Sequence, residues 1–261
     1  MKIKEVIAAL ERFAPLPLQE DWDNSGLQVG LTEADVSGAL LCLDITENIV
    51  NEAIEKECNL IVSHHPLLFR SIKCISNLNE IQRCIIKAIK NDITIVSMHT
   101  NADNAFDGVN FRIAQKLHIN EVQFLKPKMY NDIKYGSGVI GYLQNQLPPQ
   151  QFIDTIKNVF NTACLHGNNL IARNISKVAI CGGAGAFMLT DAICAGADAF
   201  ITGEMGYHDY FDHNDDIQIC VIGHYQSEQY TTEIFKEIIE KEFSSFPIYV
   251  TSVNTNPIKY Y

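Results

Sequence analysis

Three features that mark other protein classes are missing from this chain of 261 residues. No cluster of Lys and Arg stands out, and the 20 basic residues are outnumbered by 31 acidic ones, which gives a net charge of -11. A chain with this charge repels a phosphate backbone, so we expect no polymeric nucleic acid as a partner. A small anionic ligand stays compatible with the charge, because bound divalent cations reverse the sign of the local field.

Long apolar runs are also missing. No segment approaches the length of a membrane span, and no signal-like stretch opens the chain. Apolar residues instead recur at helical spacing near the N-terminus, at Ile3, Val6, Ile7, Leu10 and Phe13. We therefore expect an amphipathic N-terminal helix, no membrane contact and a cytoplasmic location.

The third missing feature is any Cys-x-x-Cys pair among the 8 cysteines. Several cysteines stand inside apolar runs, as Cys42 does in Leu40–Leu43. We interpret the cysteines as reduced core residues. Without thiols at ligand spacing, a structural zinc site is not expected.

Apolar runs of strand length alternate with amphipathic segments of helical length. The extended runs are 38–45, 58–63, 92–98, 137–143, 176–181, 198–202, 217–222 and 247–251. The helical segments are 46–57, 79–91, 108–118, 149–160, 186–196 and 225–243. Such alternation predicts an α/β protein, here with two α/β lobes and mixed sheets.

The polar segment 126–136 interrupts the alternation, and we interpret it as a linker between the lobes. The first lobe then comprises residues 1–125 together with 223–261, and the second comprises 126–222. A weak internal repeat, in which Asn59–Ser63 resembles Asp198–Thr202, suggests duplication, although βαβ units share such runs by necessity. A duplicated fold would bring counterpart residues together in a site at the lobe interface.

Histidine occurs at the ends of three predicted strands. The three clusters are Ser63–Pro66 after one run, His99–Asp103 after the next, and His224–Glu228 after a third. Taken singly, a strand-end histidine is more often a hydrogen-bonded surface or core residue than a ligand. Their conjunction at strand ends, where α/β folds place their sites, predicts a metal site.

Imidazole and carboxylate together suit Zn, Mn, Fe, Co or Ni better than an all-oxygen calcium cage. Neighbouring strand residues point to opposite faces, so His64 and His65 can each serve a different ion. The pair therefore predicts two divalent metal ions. His224 and Glu228 share one helical face, and the two carboxylate oxygens suit a bridge between the ions. Asp103 would complete the ligand set.

Two weaker signals lie in the second half of the chain. Gly182–Gly185 follows a predicted strand, a context in which backbone amides bind phosphate, but no Lys-Ser/Thr follows and a tight turn requires glycine in any case. Glu204 and His208, four residues apart, are candidate general acids or bases. A solvated helix start explains an acid at 204 equally well.

As an ordered set, these motifs resemble the GTP cyclohydrolase 1 type 2 homologue family, also described as NGG-interacting-factor-like proteins, from end to end. The motifs that carry the resemblance are Trp22–Gly30, Ser63–Leu67, His99–Asp103, Cys181–Gly185, Thr202–Glu204 with His208, and Gly223–Glu228. The resemblance implies a dinuclear metal centre with a bridging Glu228, whose ligands are His64, His65, Asp103, His224 and Glu228. Longer members insert a domain between the lobes, so this chain is the compact form.

The resemblance also implies a homohexameric ring with the metal centres facing an inner cavity. Two functions are compatible with the ligand set. The first is a metal-dependent hydrolase acting on a small anionic, nucleotide-like substrate, such as the GTP that the family name implies. The second is a non-catalytic metal-binding hexamer with a regulatory, metal-handling or protein-interaction role.

Two segments near the proposed ligands have less certain roles. His99 either binds a metal or acts without binding it, by orienting a ligand or carrying protons, and we favour the latter. The segment Trp22–Gly30 is expected to pack the N-terminal helix against its lobe.

Overall fold

The computed structural model describes residues 1–211, 213 and 215–259. Within them the strands are β1 (Gly26–Val29), β2 (Ala39–Cys42), β3 (Leu60–Ser63), β4 (Thr94–Ser97), β5 (Asn120–Tyr130), β6 (Ile133–Leu147), β7 (Ile175–Cys181), β8 (Ala199–Thr202), β9 (Gln218–Val221) and β10 (Ile248–Val250). The α-helices are α1 (Ile3–Phe13), α2 (Glu47–Glu55), α3 (Glu80–Lys90), α4 (Thr100–Asn104), α5 (Val109–Lys116), α6 (Pro149–Val159), α7 (Leu189–Cys194), α8 (His224–Glu228) and α9 (Thr231–Glu242). The predicted mixed α/β architecture is confirmed.

The chain folds as two compact units. The first unit contains Met1–Ala102 together with residues 231–259, and the second contains Asp103–Tyr230. The junctions therefore lie at 102/103 and 230/231, whereas the sequence pattern suggested 125/126 and 222/223. The difference arises because β5 belongs to the second sheet, α5 packs on β5, β6 and β7 of that sheet, and α8 falls within the second unit.

The first unit is built on a five-stranded sheet in the order β1-β4-β3-β2-β10. Strands β10, β2, β3 and β4 run parallel, and β1 pairs antiparallel with β4 at one edge. Strands β2, β3 and β4 are buried at every position, as their continuous apolar runs require. Helices α2 and α3 contribute Ile49, Ala53, Cys84 and Ile85 to the core against these strands.

The second unit has its own five-stranded sheet, in the order β5-β6-β7-β8-β9. Strands β7, β8 and β9 are parallel, while β5, β6 and β7 are joined antiparallel. Phe200, Ile219 and Met188 lie in the core of this unit. Both units thus contain three consecutive parallel strands, β2 to β4 and β7 to β9.

The segment 126–136 is not a linker. It forms the tip of the β5–β6 hairpin, in which Lys126 pairs with Ser137 and Tyr130 pairs with Ile133. Asn131 closes the turn in the left-handed region at φ 51°, a conformation that asparagine tolerates better than most residues. The segment is polar because most of its residues are exposed at the hairpin tip, so its composition was mistaken for that of a connection.

Local helix signals are confirmed at two predicted starts. Thr46 begins α2 by accepting a hydrogen bond from the Ile49 N–H, and Pro149 occupies the first turn of α6. Within the described residues, no helix combines the length and the apolar character that crossing a bilayer demands.

The cysteines are free thiols, but only part of the set lies in the core. Cys42, Cys58, Cys84, Cys181 and Cys220 are buried, whereas Cys74, Cys164 and Cys194 are exposed. Burial raises the pKa of Cys84 and of Cys220 to about 12, so both remain protonated thiols near neutral pH. The prediction of core cysteines therefore needs correction for the three exposed ones.

Candidate functional site

Three imidazoles meet at the carboxyl ends of β3 and β4 in the first unit. His64 and His65 follow the last residue of β3, and His99 follows β4. The ring centres lie 4.9 Å apart for His64 and His65, 5.2 Å for His64 and His99, and 5.4 Å for His65 and His99. One ring nitrogen from each lies within 4.8 Å of the other two. Parallel strands that end at the same sheet edge explain why residues 34 positions apart come together.

Each of the three rings is held through Nδ1 by an oxygen atom. His64 Nδ1 lies 2.9 Å from the Met98 carbonyl, His65 Nδ1 lies 2.7 Å from Asp44 Oδ1, and His99 Nδ1 lies 2.6 Å from Asp23 Oδ1. An oxygen acceptor at Nδ1 places the proton there, so the lone pair of the neutral ring resides on Nε2. Histidines that bind metals in proteins are oriented in this manner by an acceptor on the second nitrogen.

Asp44 was not among the residues predicted from sequence. It lies just beyond β2, where Oδ1 accepts from His65 and Oδ2 accepts a 2.6 Å hydrogen bond from Thr255 Oγ1. The rule that drew attention to the strand-end histidines also applies to this carboxylate, because the predicted strand 38–45 ends there. A search restricted to histidine passed over it.

Asp23 is the second residue that sequence reasoning missed. Its buried carboxylate accepts hydrogen bonds from His99 Nδ1, from the hydroxyl groups of Ser25 and Thr100, and from the backbone N–H groups of Asn24 and Thr100. Burial alone would raise the pKa of this carboxyl, but the hydrogen bonds and charge from His99, with those from Thr100 and Asn24, outweigh it and hold the pKa well below its usual value. Asp23 is therefore an anion that orients His99.

Trp22 does not take the packing role expected for the segment Trp22–Gly30. Its side chain is 61% exposed and contacts the rings of Phe69 and His99 edge to face, so it does not pack the N-terminal helix against the unit. Helix α1 packs on α9 instead. The pattern of an aromatic followed by acids did not reveal that the neighbouring Asp23 turns inward while Trp22 turns to solvent.

The second unit carries a separate group of donors at the start of α8. His224 Nε2 lies 3.0 Å from Glu228 Oε2, one helical turn away, and His224 Nδ1 lies 2.9 Å from Glu204 Oε1. The Glu228 side chain is only 4% exposed, whereas that of Glu204 is 54% exposed. The predicted shared face of His224 and Glu228 is therefore present, and Glu204 joins them from the loop after β8.

The glycine-rich turn after β7 packs against Glu228. Gly183 has φ 57°, and a methyl group at this position would collide with Oε1 of Glu228. The Gly182 and Gly183 N–H groups donate to Asn110 Oδ1 and Ser227 Oγ, each at 2.9 Å. Both amides are thus engaged within the protein, so these two groups are not available to bind a phosphate. The glycine at 183 instead leaves space for the Glu228 side chain.

Two further predicted residues lie on other elements of the second unit, and a carboxylate oxygen of Asp103 lies within 4.8 Å of one of Glu228. Asp103 lies on α4, one helical turn beyond His99, and its carbonyl accepts a 3.1 Å hydrogen bond from Asn110 Nδ2. His208 lies on the 3-10 turn Tyr207–Tyr210, where its ring stacks on Phe211 with centres 6.0 Å apart and contacts Tyr207 edge to face.

The donor chemistry of both units fits a divalent transition metal. The first unit offers three imidazoles held through Nδ1, so the neutral form of each carries its lone pair on Nε2, the donor type preferred by zinc and its neighbours in the periodic table. The second unit offers an imidazole beside a buried carboxylate, and their 3.0 Å separation suits two donors on one ion bound at about 2.0–2.2 Å from each. The arrangement resembles no all-oxygen calcium or magnesium cage.

A family model, Duf34/NIF3 (NGG1p interacting factor 3), matches residues 1–257. The chain belongs to this family. A Clostridium acetobutylicum protein named GTP cyclohydrolase 1 type 2 homolog is 32% identical over 265 aligned residues, covering 100% of this chain and 99% of the relative. NIF3-like protein 1 of Drosophila melanogaster is 31% identical and covers 98% of this chain and 88% of the relative. The family resemblance inferred from the motifs is confirmed.

Solved structures support the same conclusion for the fold. The Staphylococcus aureus hypothetical protein SA1388 superposes with a TM-score of 0.91 at 28% identity, covering 100% of this chain and 99% of that chain. HcgD from Methanocaldococcus jannaschii gives a TM-score of 0.80 at 23% identity, which shows a shared fold and no more. The Duf34/NIF3 chain thus has candidate metal-binding histidine and glutamate groups on a fold seen in these relatives.

Proposed function

We propose that this protein is a metal-dependent hydrolase that binds two divalent ions through His64, His65, Asp103, His224 and Glu228. The observation that carries the proposal is the orientation of the histidines in the first unit, where every Nδ1 is held by an oxygen acceptor. A histidine needed only for packing or surface solvation has no reason to bring a ring nitrogen within 4.8 Å of those of two other histidines. Rings that are each fixed through Nδ1 by an oxygen acceptor are typical of metal sites, where such acceptors orient the ligands and the groups beside them.

The five proposed ligands are those that the family resemblance implies. In the proposed centre His64 and His65 would each hold a different ion, and Glu228, which has two carboxylate oxygens, would hold both. When bound, a pair of divalent ions lowers the pKa of a shared water and stabilises negative charge on the substrate. The burial of Glu228 suits it to the position between two cations.

We assign His99 to proton transfer beside the metals. Asp23 holds the His99 ring by Nδ1 and so fixes its orientation, which a group needs if it is to take a proton from water and return it to a leaving group. Glu204 orients His224 through Nδ1 and is the candidate acid or base of the second unit. His208 stays a weaker candidate for the same role.

The substrate class proposed is a small anionic, nucleotide-like molecule. Relatives named GTP cyclohydrolase 1 type 2 homolog favour a nucleotide, and a dinuclear cationic centre suits a phosphate or another oxyanion. We further propose that the chain assembles as a homohexameric ring, as the family resemblance implies. The metal is Zn, Mn, Fe, Co or Ni, in agreement with the mixed nitrogen and oxygen donors.

The test combines metal analysis with turnover. Purified protein reconstituted with Zn, Mn or Fe should hold two ions per chain and hydrolyse at least one member of a panel of GTP, other nucleotides and phosphodiesters. Glu228→Gln should lower both the metal content and the rate, whereas Glu121→Gln, an exposed change in the same unit, should leave both unaltered.

The outcomes separate the competing functions. Fewer than one ion per chain after reconstitution would exclude the dinuclear centre. Two ions per chain without turnover of any substrate would instead support the non-catalytic metal-binding role. In that case a partner or metal exchange should depend on the same five ligands.

A further inference from the structure

Two exposed aromatic side chains stand beside the histidine group of the first unit. Trp22, the only tryptophan of the chain, is 61% exposed and Phe69 is 46% exposed. Their ring centres lie 5.9 Å apart, and each lies 6.1 Å from the centre of the His99 ring. Large apolar side chains that are exposed next to each other often mark a binding surface.

Hydrogen bonds between the two segments fix the positions of both rings. Asn24 Nδ2 donates a 2.8 Å hydrogen bond to the Leu68 carbonyl, and the Leu68 N–H donates to Gln28 Oε1 at 3.1 Å. These bonds join the segment that carries Trp22 to the segment that carries Phe69. Asp23, next to Trp22, ties the first segment to His99. The rings are therefore held in place before any ligand arrives, so binding costs little ordering entropy.

The three rings are not stacked on each other. Their planes meet at 69° for Trp22 and Phe69, 73° for Trp22 and His99, and 82° for Phe69 and His99. Edge-to-face contacts of this kind leave a flat face of each exposed ring available to a further flat ring. Packing that served only the protein core would have buried these faces.

We propose that Trp22 and Phe69 form a stacking subsite for a planar heteroaromatic ring of an anionic substrate. The inference rests on the proposed function, because it places one part of the substrate of the same site. The His99 ring, which contacts both aromatic rings, lies 5.2 Å from His64 and 5.4 Å from His65, so the anionic substituent of a ring stacked there can reach the proposed metals. A cationic ligand, the other common guest of aromatic side chains, would be repelled by those metals.

The first experiment uses the wild-type protein and its single tryptophan. Guanosine 5′-monophosphate and adenosine 5′-monophosphate should quench Trp22 fluorescence saturably, in the metal-free and in the Zn-loaded protein, because a stacked purine contacts the indole. Ribose 5-phosphate, which has the phosphate but no ring, should not quench and should bind at least tenfold more weakly by calorimetry. Equal affinity for the ring-bearing and ringless phosphates would overturn the proposal.

The second experiment removes the rings. Trp22→Leu and Phe69→Leu keep apolar bulk, and each should weaken binding of guanosine 5′-monophosphate by about tenfold to a hundredfold while binding of ribose 5-phosphate is unchanged. Trp22→Phe should restore most of the lost affinity. Phe187→Leu is the matched control, since this phenylalanine is 65% exposed in the other unit. Wild-type affinity in Trp22→Leu would refute the subsite.

Accessibility and metal content complete the test. Acrylamide should quench Trp22 in the assembled protein without ligand, and shielding of Trp22 by a second copy of the chain would refute a ligand site. Trp22→Leu should keep its metal ions, whereas Glu228→Gln should lose them. If the protein holds its metal ions but binds ring-bearing and ringless phosphates equally well, only the stacking subsite is overturned. If it prefers ring-bearing phosphates but holds no metal ion, only the proposed hydrolase is overturned.

Discussion

Replacing Asp23 by asparagine removes one charge from a buried carboxylate that accepts five hydrogen bonds. Oδ1 accepts from His99 Nδ1 and the Asn24 N–H, and Oδ2 accepts from the Thr100 N–H and from the Ser25 and Thr100 hydroxyls. The hydroxyls can rotate to become acceptors. Whichever oxygen becomes the amide nitrogen, however, one backbone N–H loses its acceptor.

The size of the effect follows from this count. A hydrogen bond to a charged group contributes about 1.5–3 kcal/mol, and the bonds that remain weaken when the acceptor becomes neutral. We expect Asp23→Asn to lower the free energy of unfolding of the first unit by about 2–4 kcal/mol. Urea unfolding followed by the fluorescence of Trp22 measures this quantity, because the only tryptophan lies in that unit.

The pH dependence supplies a second signature. Because the folded pKa of Asp23 lies below the unfolded value of about 3.9, its stabilisation is fully present above that value and is lost as the pH falls toward the folded pKa. The difference in the free energy of unfolding between wild type and Asp23→Asn should therefore be constant from about pH 7 to 5 and should narrow below about pH 4.

A matched control is Asp35→Asn, which removes the charge of an exposed aspartate paired with Lys2 in the same unit. It should change the unfolding transition far less, since water replaces its partners. The reasoning is refuted if Asp23→Asn costs less than about 0.5 kcal/mol, or if both variants behave alike.

Three further predictions concern the candidate site. His99→Gln should abolish turnover while two ions per chain remain bound, and loss of an ion in elemental analysis would show instead that His99 is a ligand. Gly183→Ala should destabilise the second unit by about 2–4 kcal/mol in thermal unfolding and lower its metal content, because the methyl group collides with Glu228 as well as adding left-handed strain. Gly196→Ala, at φ 70° with open space around it, should show only the strain of about 1–2 kcal/mol, and equal effects would contradict the collision. Glu204→Gln should weaken metal retention in a chelator competition less than Glu228→Gln does, because Glu204 is not a proposed ligand and affects the metal through the orientation of His224.

Much of the fold was predictable from the chain because its elements are short and their patterns are local. The apolar runs that became β2, β3 and β4 are buried at every position, which leaves a continuous hydrophobic signature. The hairpin of β5 and β6 was missed for the opposite reason. Its tip is solvent-exposed, and polar residues there resemble those of a linker.

The candidate site was predictable where its residues follow strands. His64, His65 and His99 stand at sheet edges that parallel topology brings together, and the spacing of His224 and Glu228 is that of one helical turn. Asp44 and Asp23 were not found, although each holds a histidine by Nδ1. Their partners lie 21 and 76 residues away along the chain, beyond the reach of any local pattern.

By itself the sequence determined the α/β alternation, the absence of a membrane-length apolar run, the strand-end histidines and the family, because each depends on composition or on spacing within a few residues. Tertiary structure decided which nitrogen of each histidine is held, why Gly183 must be glycine, and that Trp22 faces solvent beside His99. These depend on contacts between distant segments. Only folding brings the acceptors to the histidine rings, Gly183 to Glu228 and the Trp22 indole to His99.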